Sequence, residues 1–277
     1  AVPGRHLRPG RAMRDAARCW PPREESLFLR FQPVFTAQGQ VHEYAVADSI
    51  TPLRSGSPGL MAQRARLRAA VAFAARLPAP LDLSFEHTLT VPDGTDVARR
   101  LCADLDISVS RDHICLGPAA GNTPLQLATR RLTFSVPLFR RLLPQAHVLA
   151  CHTEFRASLR ARLLPASCGG KPVASGVMRV TGLTLRIPRG LGADRALQRR
   201  FDSLMECATS AKLQVTIDGI EDMHDFVWLR PRPGLLFRGT VLSAPISAQC
   251  LDVWLQADGD AWRSFHACTA RPSWTER

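Results

Sequence analysis

The chain has 277 residues, enough to bury a full core, with 45% apolar and 22% charged residues, as in an ordinary globular protein. Its formal charge is +12, and all but two of the 36 basic residues are Arg, the lysines being Lys171 and Lys212. No apolar run approaches the roughly 18 residues of a membrane span. So much Arg raises the question of a polyanion surface, because clustered guanidiniums contact phosphates. The Arg residues are scattered in pairs, such as Arg99-Arg100, Arg130-Arg131, Arg140-Arg141 and Arg199-Arg200. A single Tyr, Tyr44, leaves no aromatic ladder for stacking bases. Nucleic-acid binding therefore ranks last among the functions weighed. The eight Cys form no C-x-x-C pair and read as small buried hydrophobes of a reducing cytoplasm. His147, Cys151 and His152 lie close together, but no second cluster closes a metal site, so loop or core roles are the plainer reading.

Residues 1–25 are Arg- and Pro-rich without a signal-peptide core and are expected to be a flexible leader. Residues 27–35 alternate apolar and polar, which predicts a strand, and a turn at Gly39 leads to a hairpin partner at 41–46. Apolar positions at helical spacing predict a helix over 60–77, ended by Pro78 and Pro80. A strand is expected at 81–85, a helix at 96–105 and a strand at 114–116. Residues 125–149 are mixed, 146–151 could be a strand, and 154–164 read as a helix. A strand over 177–187 precedes the clearest helix, 194–212, with Asp194 as N-cap and Leu197, Phe201, Leu204 and Ala208 on one face. Strands at 215–217 and 235–241 flank a helix at 223–229, and a helix over 246–255 closes the pattern. Strand and helix alternate, which predicts a parallel sheet with helical crossovers. About seven or eight pairs suit a (β/α) barrel, with residues 258–277 as a tail.

The most informative segment is Leu213-Gln-Val-Thr-Ile-Asp-Gly-Ile-Glu221, followed by Phe237-Arg-Gly-Thr-Val-Leu-Ser-Ala-Pro245. Each apolar run ends in polar residues beside a Gly, and in an α/β barrel the carboxyl ends of strands face the site. These runs resemble V-V-A-E-G-V-E and Q-G-Y-x-F-S-x-P of the EAL family, the bacterial cyclic-di-GMP phosphodiesterases. Leu29-Arg-Phe-Gln-Pro-Val34 resembles that family's L-x-Y-Q-P-I strand, and Ala37-Gln-Gly-Gln-Val41 its hairpin turn. The resemblance covers residues 26–257 and implies a TIM-like α/β barrel of EAL type with an antiparallel N-terminal strand.

Carried over residue by residue, the resemblance implies a dismantled site. Ala45-Val-Ala-Asp-Ser49 stands where the family has Glu-Ala-Leu-x-Arg, so Ala45 replaces the Glu and Ser49 the Arg. Glu86 stands for an Asn, and Ile114-Cys-Leu-Gly-Pro118 for L-E-I-T-E, which puts Cys115 and Pro118 in place of two Glu. Ala166-Ser-Cys-Gly169 is the nearest match to Asp-Asp-Phe-Gly. Arg186 replaces a Lys, Asp218 a Glu and Arg238 a Gln, while Glu221 is retained. The family uses two Mg2+ or Mn2+ ions, and hard cations need several oxygen ligands. Ala45 offers none, Cys115 is soft, and Arg186 and Arg238 add positive charge. The expectation is therefore no cofactor and no hydrolysis, with Glu221 in a salt bridge to Arg186 or Arg238. The resemblance then implies a cytoplasmic regulator that acts by binding a protein partner. The alternatives are a non-hydrolysing cyclic-di-GMP receptor holding phosphate through Arg186 and Arg238 with Asp218 and Glu221 nearby, and, further off, an active metal-dependent phosphodiesterase. The family often forms homodimers through barrel helices, and Trp228 or Trp254 could serve such a contact, although core packing is the plainer role of each.

Overall fold

The computed structural model describes residues 29–48, 59–77, 81–87, 89, 96–109, 114–117, 125–127, 132–164 and 176–256. The expected leader and tail, Ser49, Pro118 and the segment 166–169 lie outside the described residues. Eight strands close into a ring: β1 (Leu29–Thr36), β2 (Val41–Asp48), β3 (Leu83–Glu86), β7 (Leu132–Val136), β8 (Arg156–Leu164), β9 (Val177–Arg186), β10 (Gln214–Asp218) and β11 (Leu235–Phe237). Pairing of Phe35 with Phe237 and of Thr36 with Leu236 joins β1 to β11 and completes the closure. A short β12 (Ile246–Ser247) adds to β1 beyond the ring. The architecture is thus the mixed α/β barrel expected from the alternation of elements.

The ring consists of two parallel groups, β2-β3-β7 and β9-β10-β11, separated by the reversed strands β1 and β8. All six parallel strands therefore end at one mouth, where β1 and β8 begin. Parallel neighbours need crossovers, and helices supply them. These are α1 (Leu60–Ala74) between β2 and β3, α2 (Val97–Leu105) after β3, α4 (Arg195–Ser210) between β9 and β10, and α5 (Met223–Leu229) between β10 and β11. A short α3 (Ala146–Ala150) precedes β8, and α6 (Ala248–Gln256) follows β12. Asp96, Asp194 and Asp222 cap α2, α4 and α5 by accepting from backbone N–H groups of the first turn, as short acidic side chains at N-caps do.

Register sorts the ring residues onto two faces, because directly paired residues share a face. Gln32, Ala45, Ser84 and Thr133 are successive partners, as are Thr184, Thr216, Leu236 and Thr36. Alternate positions, including Phe31, Phe85, Phe134, Leu159, Leu185, Ile217 and Phe237, join the large core that takes in the helices. Among the described residues on the other face, only Val34, Ala45 and Leu236 form an apolar cluster. The lumen is otherwise polar. At its centre Arg160 Nη2 donates to Glu43 and Nη1 to Thr216 Oγ1, and all three residues are buried.

Four sequence expectations are corrected. Residues 154–164 are not helical; most of them form β8. Arg, Ala and Leu have good helix propensity, but Leu159, Ala161 and Leu163 point to the core while Arg160 points to the lumen, a period of two that only ring closure satisfies. β8 is thus a second reversed strand, beside the expected antiparallel N-terminal strand β1. Residues 146–151 form α3 rather than a strand, the usual ambiguity of a short apolar run. Residues 114–116 do form a strand, β5, but it lies with β4 (Ile107–Val109) and β6 (Leu125–Leu127) in a separate antiparallel sheet. The ring strand after β3 is β7, so Cys115 is not a barrel position and the carry-over onto it fails. Finally, Cys151 and Cys250 are exposed, not buried, whereas Cys102 is buried as expected. His147 and Cys151 hydrogen-bond locally around α3: Nδ1 of His147 bonds the Pro144 carbonyl at 3.0 Å and Sγ of Cys151 donates to the His147 carbonyl.

Candidate functional site at the barrel mouth

Four of the residues singled out from the sequence meet at the carboxyl ends of the parallel strands. Glu86 ends β3, Arg186 ends β9, Asp218 ends β10, and Arg238 follows the last residue of β11. Asp218 is the direct cross-strand partner of Arg186. Arg238 bridges the mouth: Nε donates to Asp218 Oδ1 at 2.8 Å and Nη2 donates to Glu86 Oε1 at 2.7 Å. The Arg238 side chain is 11% exposed and Asp218 15%, whereas Glu86 is 64% exposed, so the bridge is sheltered at one end and open at the other.

Local backbone geometry positions this bridge. Gly219 has φ +78°, a left-handed conformation that L side chains rarely adopt, and it turns the chain sharply after Asp218. Gly239 sits so close to the carbonyl of Ile220 that a Cβ would lie 2.0 Å from it. The carbonyl of Arg238 accepts from Ile220 N–H, and Arg238 N–H donates to the Ile217 carbonyl, locking the two strand ends together. The two Gly residues of the sequence motif are therefore steric requirements of one joint.

Charge organises the same group. Burial would raise the Asp218 carboxyl, but the charge and hydrogen bond of Arg238, with Arg186 and the Gly219 N–H, outweigh it and hold Asp218 below the usual carboxylate range. Burial likewise works against the Arg238 charge, and Asp218 and Glu86 more than offset it, so Arg238 is held more firmly protonated than usual.

The remaining expected residues divide. Glu221 pairs with Arg189, not with Arg186 or Arg238; Arg189 Nε donates to Glu221 Oε2 at 2.6 Å on the outer rim. Ala45 is buried in the lumen and Cys115 lies in the second sheet. Arg156, at the start of β8, is a mouth residue that the sequence reading missed; it stands directly opposite Arg186. Its signal was the alternation Arg156-x-Ser158-x-Arg160, obscured by helix-favouring neighbours. Arg189 and the Arg160–Glu43 pair were missed as well, because their partners lie 32 and 117 residues away. Trp228 packs edge-on against Phe201 and lies under Arg232, while Trp254 is partly buried against the core; both fit the packing role.

No family model matches the chain, and neither does any curated protein. Solved structures of similar shape exist. The EAL domain of DcpA from Mycobacterium smegmatis is 15% identical with a TM-score of 0.49, over 86% of this chain and 99% of that one. A standalone EAL protein from Vibrio cholerae, bound to cyclic-di-GMP, is 13% identical with a TM-score of 0.45, over 82% of this chain and 95% of that one. The Bacillus subtilis YkuI protein, which has an EAL domain and is in complex with cyclic-di-GMP and calcium, is 13% identical with a TM-score of 0.43, over 86% of this chain and 60% of that one. Among the described residues no helix is long and apolar enough to cross a membrane.

Proposed function

We propose that the chain is a non-hydrolysing regulatory protein of EAL type that acts in cyclic-di-GMP signalling by binding a protein partner. The family reading rests on the sequence motifs that now fall at the mouth: Asp218-Gly-Ile-Glu221 and Arg238-Gly-Thr, joined through Gly219 and Gly239. The observation that carries the loss of hydrolysis is the position of Arg238. Its guanidinium stands between the two carboxylates, Glu86 and Asp218, that could otherwise share a divalent ion. A second cation there would meet Arg238 and Arg186 at close range and find both carboxylates engaged. Among the described residues no group of three His, Cys, Asp or Glu gathers to hold a metal. The engagement of Glu86 and Asp218 by Arg238 supports a reading without a pair of Mg2+ or Mn2+ ions.

The decisive test is incubation of purified protein with Mn2+ and cyclic-di-GMP, followed by chromatography of the nucleotide. The expected result is intact cyclic dinucleotide. Linear product that disappears in the Asp218→Ala variant would overturn the reading and restore an active phosphodiesterase.

A second reading, a non-hydrolysing cyclic-di-GMP receptor, is favoured by guanidiniums at the mouth that no carboxylate engages. Loss of a metal site does not prevent phosphate binding by Arg, whose planar fork suits phosphate oxygens. Calorimetric titration separates the two: saturable heat with cyclic-di-GMP in the absence of metal supports a receptor, and none supports a nucleotide-blind partner-binding protein.

A further inference from the structure

We propose that Arg156 and Arg186 form a phosphate-binding site at the barrel mouth, suited to the phosphate group of a nucleotide or other phosphorylated small molecule. The two residues are direct cross-strand partners on β8 and β9, and both are exposed. Like charges directly opposite one another destabilise a strand pair, with Cβ atoms only about 4.5–5.5 Å apart. Among the described residues neither guanidinium makes a hydrogen bond or an ion pair. The described acids at and around the mouth pair with other Arg residues. Glu154 pairs with Arg200, Asp218 and Glu86 with Arg238, and Glu221 with Arg189. Arg186 acts on Asp218 by charge alone.

The site is built on strands rather than on a mobile loop. The stem of Arg186 lies across Gly219, where a Cβ would sit 3.1 Å from Arg186 Cγ and 3.4 Å from its Nε. Gly219 thus leaves room for this side chain along the rim. Arg156 reaches the mouth only because β8 runs against its neighbours; a parallel strand would place its amino end at the far side of the barrel. The reversal of β8 therefore supplies a cation to the mouth. Two guanidiniums side by side present several N–H donors to one tetrahedral oxyanion, and a bound phosphate would relieve their mutual repulsion. Arg238, although closer to the motif, is held by Asp218 and Glu86 and is not the anion ligand; this differs from the pairing of Arg186 with Arg238 expected from the sequence.

The test is calorimetric titration of the full chain with inorganic phosphate at low salt, with melting temperature as a second readout. Saturable binding is expected, weakened about tenfold or more in R156Q and in R186Q. The R179Q variant removes the same charge at the opposite end of β9, where Arg179 pairs with Arg162 across the strands, and should bind as the wild type does. Phosphate should raise the melting temperature of the wild type and of R179Q but not of the two mouth variants. Should either mouth variant fail to fold, R156K and R186K keep the charge and lose the fork, and weakened binding is expected in both. Absence of saturable binding, or equal weakening in R179Q, would overturn the site. A parallel titration with cyclic-di-GMP keeps this proposal apart from the receptor reading. Phosphate binding that depends on Arg156 and Arg186 without cyclic-di-GMP binding leaves the site standing and removes the receptor. Cyclic-di-GMP binding indifferent to both variants, with no phosphate binding, does the reverse.

Discussion

Two Arg–carboxylate clusters occupy the barrel, one in the lumen and one at the mouth, and they differ in access to water. In the lumen Arg160 and Glu43 are 6% and 5% exposed at the side chain, and Thr216 Oγ1 accepts a second N–H of the Arg160 guanidinium. At the mouth Arg238 is almost as sheltered, but its partner Glu86 opens to solvent. The lumen pair is sealed and can only support the fold, whereas the mouth cluster can be approached, polarised and competed for. Burial, not the kind of residue, separates the structural cluster from the candidate site.

The comparison breaks most readily at Glu43. The Glu43→Leu variant leaves the Arg160 charge buried without its carboxylate, and breaking a sealed pair in this way costs about 3–5 kcal/mol. Urea or thermal melting should register that loss. A loss below about 1 kcal/mol would mean that water reaches Arg160 and that the lumen is open. At the mouth Asp218→Asn should cost less, about 1.5–3 kcal/mol, the range for a hydrogen bond to a charged group, because Glu86 still faces Arg238. The pH dependence has a definite sign. The folded Asp218 carboxyl lies below its unfolded value, so its contribution is fully present above about pH 4 and is lost as pH falls through the lower folded value. Melting curves in that acid range should therefore converge for wild type and Asp218→Asn. The smallest effect is expected for Glu86→Gln, about 0.5 kcal/mol or less, because that partner is largely solvated. A cost for Glu86→Gln equal to that for Asp218→Asn would erase the distinction between the sheltered and open ends of the bridge.

Legibility in the sequence followed the same division. The half of the ring from β9 to β11 was readable because the apolar runs of β10 and β11 end in a polar residue and a Gly, and the helices between the strands carry Asp N-caps. The hairpin β1–β2 was equally clear from its alternation and from Gly39. β7 and β8 were not. Leu132-Thr-Phe-Ser-Val136 is a short strand without flanking turn signals strong enough to mark it. In 156–164 Arg, Ala and Leu favour a helix locally, and only the demand for an eighth strand forces them into extended form. Cys115 was misplaced for a related reason: a three-residue apolar run says strand but not which sheet. At the site, Asp218, Arg186 and Arg238 were found through the resemblance to the EAL motifs. Their pairing was not, because Arg238 lies 20 residues from Asp218 and 152 from Glu86, and Glu221 pairs with Arg189 instead.

The proposed loss of hydrolysis rests on Arg238 standing between Glu86 and Asp218, where a divalent ion would otherwise be held. Electron paramagnetic resonance of Mn2+ titrated into the 277-residue chain tests it most directly, with Arg238→Gln and Asp218→Asn alongside. The account predicts that the wild type leaves Mn2+ free in solution, and that any new binding arises only in Arg238→Gln, where Glu86 and Asp218 are released. Saturable Mn2+ binding by the wild type that disappears in Asp218→Asn would contradict it.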